Sequence, residues 1–253
     1  MRAVLLAVAL SLAAGSGAAA QAQVGAPGCV DDVPVRAWRE PITFDSRGRS
    51  IRAHLYSPRG EANGVGVVLL HGGTGFEMNA ILFDAHAIQL ASRGYHVILP
   101  AYFDAAAPDG SRRTVTARAW RQAALDAAEA LSAEPGLARE RVALWGYSRG
   151  AAVGADAATS PGSGVRSAIL VAGGGSLDGD VDGRNLSVLM LHARRDEAVP
   201  SRSTLRLAEE LREAGATVEV QELAFDGHQY DLPTWCAAFA ATRAFLEGRH
   251  GPA

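Results

Sequence analysis

Residues 142–153 read Val142-Ala143-Leu144-Trp145-Gly146-Tyr147-Ser148-Arg149-Gly150-Ala151-Ala152-Val153. An apolar strand runs straight into Gly-Tyr-Ser-Arg-Gly, and a helix-forming stretch follows at once. A reversal this sharp crowds the backbone and needs small residues on both sides, here Gly146 and Gly150. It lifts the Ser148 hydroxyl off the edge of a sheet and aims the first N–H groups of a helix at the same point. With 28 Gly in 253 residues the five-residue pattern alone is weak. A plain strand–helix turn with a capping serine would carry the same letters, so the surroundings decide.

Outward from that turn, apolar strands alternate with amphipathic helices. Upstream, Pro41 to Phe44 and Ile51 to Tyr56 flank the turn Ser46-Arg47-Gly48 and predict a hairpin. Val65 to Leu70 predicts a buried strand ending in His71-Gly72-Gly73-Thr74-Gly75. A helix over Ala80 to Arg93, a strand over Tyr95 to Leu99 and a helix over Thr114 to Ala133 follow. Downstream, strands are expected at Ser167 to Ala172, Ser187 to His192 and Val218 to Leu223. The last helices are expected at Ser201 to Ala214 and Pro233 to Glu247. Near-uniform apolar strands between amphipathic helices imply an α/β fold, a mostly parallel sheet with helices on both faces. The stretch from Ala172 to Ser187 is short and rich in Gly and Asp, which leaves no room for a cap domain.

Composition narrows the function. Apolar residues are 48% of the chain, charged residues 20%, and the net charge is −3. That balance builds a core and excludes a disordered chain. No basic block offers a footprint for nucleic acid. The two cysteines form no C-x-x-C or His/Cys cluster, so no metal site is expected.

The first residues form a separate unit. Arg2 gives a positive start, Val4 to Ala14 an apolar run, and Ala18-Ala19-Ala20 and Ala20-Gln21-Ala22 two A-x-A sites. Residues 1–22 therefore read as a secretory signal peptide, and 23–253 as one domain that is exported, with no membrane attachment after cleavage. The apolar run is too short for an uncleaved span, and Cys29 lies too far past it to accept a lipid. An oxidising compartment would permit a bridge between Cys29 and Cys236. The sequence leaves open whether they pair or stay free.

A serine hydroxyl is a poor nucleophile until a base takes its proton. His228 is the best-placed base, in the polar loop Asp226-Gly227-His228-Gln229 after an expected strand. His54 and His96 fall within strands, His86 on a helix and His250 in the tail, while His71 and His192 end strands and could support the site from behind. The base needs a carboxylate to fix its tautomer and stabilise the imidazolium. Asp196, in Arg195-Asp196-Glu197-Ala198-Val199-Pro200, supplies it, with Glu197 the nearest rival. The chain order is then Ser148, Asp196, His228, as an α/β-hydrolase requires. An oxyanion hole needs two donors. The Arg149 amide is one, and Gly73, ahead of Gly72, offers the other.

At these residues the sequence resembles the dienelactone hydrolase family of the α/β-hydrolase superfamily. The matching pieces are His71 to Gly75, Leu99-Pro100-Ala101-Tyr102-Phe103, Gly146 to Gly150, Asp196 with Val199-Pro200, and Gly227-His228, across roughly residues 41–247. The resemblance implies a capless domain with Ser148, Asp196 and His228 as its triad. Founding members carry a cysteine nucleophile. Ser148 points away from dienelactone itself and toward small carboxylic esters or lactones more broadly. No cofactor is implied. A peptidase or acyltransferase on the same scaffold is the alternative among enzymes. A non-catalytic binding protein would be expected to carry a broken triad, and all three positions here are filled. Carboxylate-bearing substrates are also implied, with the Arg149 guanidinium either their bidentate anchor or a charge turned to solvent or a surface acid.

Overall fold

The computed structural model describes residues 28–106 and 113–251. The expected signal peptide at 1–22 lies outside them. The first strands of the described residues form a hairpin, β1 (Ala37–Ser46) and β2 (Arg49–Pro58), followed by β3 (Gly66–Leu70), α1 (Phe76–Ala91) and β4 (His96–Pro100). The remaining strands and α-helices of the described residues are α2 (Arg113–Leu131), β5 (Val142–Tyr147), α3 (Arg149–Thr159), β6 (Ser167–Val171), β7 (Ser187–Arg195), α4 (Ser201–Glu213), β8 (Thr217–Asp226) and α5 (Leu232–His250). All eight strands of the described residues join one sheet in the order β1-β2-β4-β3-β5-β6-β7-β8. Pairing is antiparallel for β1 with β2 and β2 with β4, and parallel from β4 to β8. This is the mostly parallel α/β architecture that the alternating pattern predicts, and no cap is inserted among the described residues.

Side-chain alternation sorts the core into two layers. Leu70, Leu144, Leu170 and Met190 face α2, α3 and α4. Leu69, Trp145, Tyr147, Ile169 and Leu191 face α1 and α5. The central strands β3, β4, β5 and β6 are buried at every residue, which is why they read as continuous apolar runs. β8 is an edge strand with alternating exposure.

Several boundaries differ from expectation. α1 starts at Phe76, four residues before the expected Ala80, because Gly75 at φ 91° releases the chain directly into the helix. β7 and β8 outrun their apolar cores, reaching Arg195 and Asp226 through mutual pairing with a register shift between Ala193 and Arg195. Backbone hydrogen bonds hold those terminal residues, and hydrophobic pattern cannot report them.

The strand order reverses beside β3. The chain runs from β3 outward to β4 and then returns to β5 on the other flank. In open α/β sheets such a switch point leaves a crevice at the carboxyl ends of the strands. The loops after β3 and β5, with His71 to Gly75 and Ser148, meet there.

Cys29 and Cys236 form a disulfide across a sequence separation of 207, with Cα atoms 5.4 Å apart. The N-terminal arm is also held by an ion pair between Asp31 and Arg243 and by reciprocal hydrogen bonds between Val33 and the Gln89 side chain. No helix of the described residues is long and apolar enough to cross a membrane.

Candidate active site

Ser148 sits between β5 and α3 with φ 55° and ψ −113°, a conformation that L-residues rarely adopt. Its amide donates to Val171 O at 2.8 Å, and its carbonyl accepts from the amides of Ala151 and Ala152 at 3.1 and 3.2 Å. Neighbouring backbone explains the glycines. A Cβ on Gly146 would collide with the Gly150 carbonyl, and one on Gly150 with the carbonyls of Leu70 and His71. The strand–turn–helix is therefore wedged against the end of β3, and that wedge brings the His71–Gly75 loop beside the serine.

The structure brings together the three side chains singled out from the sequence. His228 Nε2 lies 2.9 Å from Ser148 Oγ, and His228 Nδ1 lies 2.7 Å from Asp196 Oδ2. Asp196 and His228 are buried, at 7% exposure each, while Ser148 is partly open to solvent. Asp196 Oδ1 accepts the amides of Ala198 and Val199 at 2.9 and 2.7 Å, so the carboxylate has partners on both oxygens. Glu197, the rival carboxylate, is exposed and makes no hydrogen bond to His228.

Arg149 begins α3, so its amide is one of the donors a helix leaves without an intrahelical partner. Gly73 is exposed, and its Cα faces the Arg149 side chain closely enough that an added Cβ would lie 3.6 Å from Nε. The two residues named for the oxyanion thus flank one another at the strand ends. The Arg149 guanidinium lies 5.7 Å from the Trp120 ring and forms no ion pair with any described carboxylate.

An aromatic wall stands behind the loop after β3. His71 is fully buried, stacks on Tyr102 at 4.2 Å between centroids and meets Phe103 edge-on at 4.8 Å. Its Nδ1 lies 2.9 Å from Gly72 O, and the Tyr102 hydroxyl donates to His71 O at 2.8 Å. Burial lowers the His71 pKa to about 4, partly opposed by the Gly72 carbonyl. His71 is therefore neutral near pH 7 and donates from Nδ1. His192, expected at a strand end, lies inside β7 because pairing with β8 carries that strand on to Arg195; it is buried with Nδ1 3.0 Å from Ala193 O.

Two participants escaped the sequence reading. Trp120 comes from α2, remote in the chain, and no local signal marks it. Tyr147 packs on His228, with its hydroxyl donating to His228 O at 2.7 Å. Strand alternation gives a signal for Tyr147, since it shares the α5 side of the sheet with Trp145. Among the described residues, the cluster of metal-ligand type is Cys29 with Asp31 and Asp32, and its sulfur is committed to the disulfide.

Solved structures of other proteins share this architecture. A dienelactone hydrolase-like promiscuous phosphotriesterase from metagenomic libraries superimposes with a TM-score of 0.69 at 20% identity, covering 84% of this chain and 98% of that one. A thermostable esterase from Pseudomonas putida gives 0.66 at 16% identity, covering 87% and 86%. The acylaminoacyl peptidase of Pyrococcus horikoshii gives 0.65 at 17% identity, and this chain spans 84% of its own length but 41% of that larger chain. No curated protein matches the sequence significantly. The family model of the dienelactone hydrolase family matches residues 51–232, from β2 to the start of α5. The chain is thus a hydrolase-fold protein that belongs to the dienelactone hydrolase family.

Proposed function

We propose that this protein is an exported serine hydrolase that cleaves small carboxylic esters or lactones. The observation that carries the reading is the continuous relay from Ser148 Oγ through the His228 ring to Asp196, at 2.9 and 2.7 Å. Ser148 Oγ attacks the carbonyl carbon while His228 Nε2 takes its proton. The carbonyl oxygen gains a negative charge that the amides of Gly73 and Arg149 stabilise. Collapse breaks the bond to the leaving alkoxide, which receives the proton from His228. Water then attacks the acyl-enzyme, again through His228, releasing the acid and restoring Ser148. Asp196 keeps the proton on Nδ1 so that Nε2 remains the basic nitrogen. Its amide partners Ala198 and Val199 hold it as an acceptor.

Export is supported by the charged, apolar and A-x-A pattern of residues 1–22 and by a disulfide of the kind that persists in oxidising compartments.

The test is a panel of p-nitrophenyl esters, lactones and aminoacyl amides offered to the mature protein and to Ser148→Ala. Ester or lactone turnover, with a Ser148→Ala loss on the order of 10⁴ to 10⁶ in kcat, is the expected result. A fluorophosphonate should label the wild type at Ser148. Turnover restricted to the amides would replace the esterase reading with a peptidase. Wild-type activity within tenfold of Ser148→Ala would remove the serine mechanism.

A further inference from the structure

The residue just before the nucleophile is tied to the base. Tyr147 ends β5 and is buried at 4% exposure. Its phenol donates to the backbone carbonyl of His228 at 2.7 Å, and its ring stacks on the imidazole at 5.3 Å with 21° between planes. Burial, with Asp196 nearby, raises the phenol pKa, so the hydroxyl keeps its proton and stays a donor. The ring cannot swing away. Trp235, Tyr230 and Phe83 meet it edge-on at 4.9, 6.1 and 6.1 Å.

His228 needs such support. It follows Gly227, whose φ of 133° is open to glycine and strained for other residues, in the short link between β8 and α5. The in-plane hydrogen bonds to Asp196 and Ser148 fix the line joining Nδ1 and Nε2. They leave the ring able to rock about that line and the loop able to slide. The Tyr147 ring covers a face of the imidazole and restrains the rocking, and its hydroxyl pins the carbonyl and restrains the slide.

We propose that Tyr147 is a positioning residue for His228, fixing the base to the same strand end that presents Ser148. The proposal rests on the serine hydrolase reading above. Because Tyr147 and Ser148 are adjacent in the chain, one rigid strand terminus sets both ends of the Ser148–His228 contact. A shift of β5 then moves nucleophile and base together, where independent loops would let the 2.9 Å separation drift.

The experiment compares Tyr147→Phe, which keeps the ring, with Tyr147→Leu, which removes it. Thr242→Val is the control, since it breaks a buried hydrogen bond from Trp145 of the same strand at 3.0 Å without touching His228. On the best ester of the panel, Tyr147→Phe should lower kcat about tenfold with KM within about twofold, Tyr147→Leu should lower it further, and Thr242→Val should affect only thermal stability. Independently of any substrate, the far-downfield proton signal of the hydrogen-bonded His228 Nδ1–H should broaden or shift in both Tyr147 variants and stay in place in Thr242→Val. Variants that keep both kcat and the Nδ1–H signal would overturn the proposal. So would losses that match those of Thr242→Val. If the wild type turned over no ester, the function reading would fail alone, and an unchanged Nδ1–H signal in both variants would then overturn the positioning role separately.

Discussion

Asp196 gives one oxygen to His228 and the other to its own loop. Oδ2 lies 2.7 Å from His228 Nδ1, and Oδ1 accepts the amides of Ala198 and Val199. This division fixes both the position and the tautomer of the imidazole. Asp196→Asn can present an N–H toward Nδ1 and so favour the wrong tautomer. It should lower kcat on a p-nitrophenyl ester on the order of 10⁴-fold. Glu197→Ala, which removes an exposed side chain, should stay within a fewfold of wild type. The reverse ranking in steady-state kinetics would mean that Glu197 is the functional carboxylate.

Gly150 has no space for a methyl group. Its Cβ would enter the carbonyls of Leu70 and His71, and backbone cannot rotate aside as a side chain can. Gly150→Ala should destabilise the fold by more than about 3 kcal/mol, by forcing β3 and α3 apart. Gly248→Ala, in α5 with nothing near its Cβ, should instead stabilise by about 0.5–1 kcal/mol. Urea unfolding of both variants checks the contrast, and equal midpoints would contradict it.

Arg149 offers a charge that no described carboxylate neutralises, beside Gly73 and over Trp120. Arg149→Gln keeps the backbone donor and removes the guanidinium. For a carboxylate-bearing ester the loss in kcat/KM should exceed that for a neutral ester of similar size by about tenfold, the scale of one charge-assisted contact. Equal losses would limit Arg149 to its amide.

Removal of the disulfide should be felt in stability before activity. Closing a loop of 207 residues is worth up to roughly 5 kcal/mol by chain entropy. The Asp31–Arg243 pair and the Val33–Gln89 bonds would still hold part of the arm. The double variant Cys29→Ser/Cys236→Ser should melt roughly 5–15 °C lower by calorimetry. Ester turnover at 25 °C should change less than twofold. An unchanged Tm would show that the bridge adds nothing to stability beyond the arm's other contacts.

Acid should destabilise the fold through its buried histidines. Burial lowers the pKa of His71 to about 4 and that of His86 well below 6.5, the latter helped by Arg243 and Arg93. The unfolded chain binds these protons near pH 6.5 while the folded chain refuses them. Their contribution is therefore intact above about pH 6.5 and is lost as pH falls toward 4. For His71 the loss amounts to about 3 kcal/mol over that window. His86, stacked on Phe239 at 3.9 Å with neither nitrogen hydrogen-bonded to a described residue, offers the cleaner test. His86→Leu should flatten the fall in unfolding free energy between pH 7 and 4.5, and a slope equal to wild type would contradict this account.

The α/β layering was legible because β3 to β6 are buried on both faces, so their apolar runs carry the signal without knowledge of their neighbours. Ser148 was legible for a related reason. Its turn needs Gly146 and Gly150 on steric grounds, and those letters stand next to the strand that makes the turn. Asp196 and His228 could be named because each follows a strand, and parallel strands deliver their ends to one edge. Pairing was different. The Asp196–His228 contact, the bond from Tyr147 to the His228 carbonyl and the approach of Trp120 to Arg149 join residues far apart in the chain. The Cys29–Cys236 bridge does so across 207 residues. Local sequence determined which side chains stand at the rim of the sheet, because strand burial and turn sterics act over a few residues. Only the tertiary structure decided which of them touch, because contact depends on how separate strands, loops and helices pack.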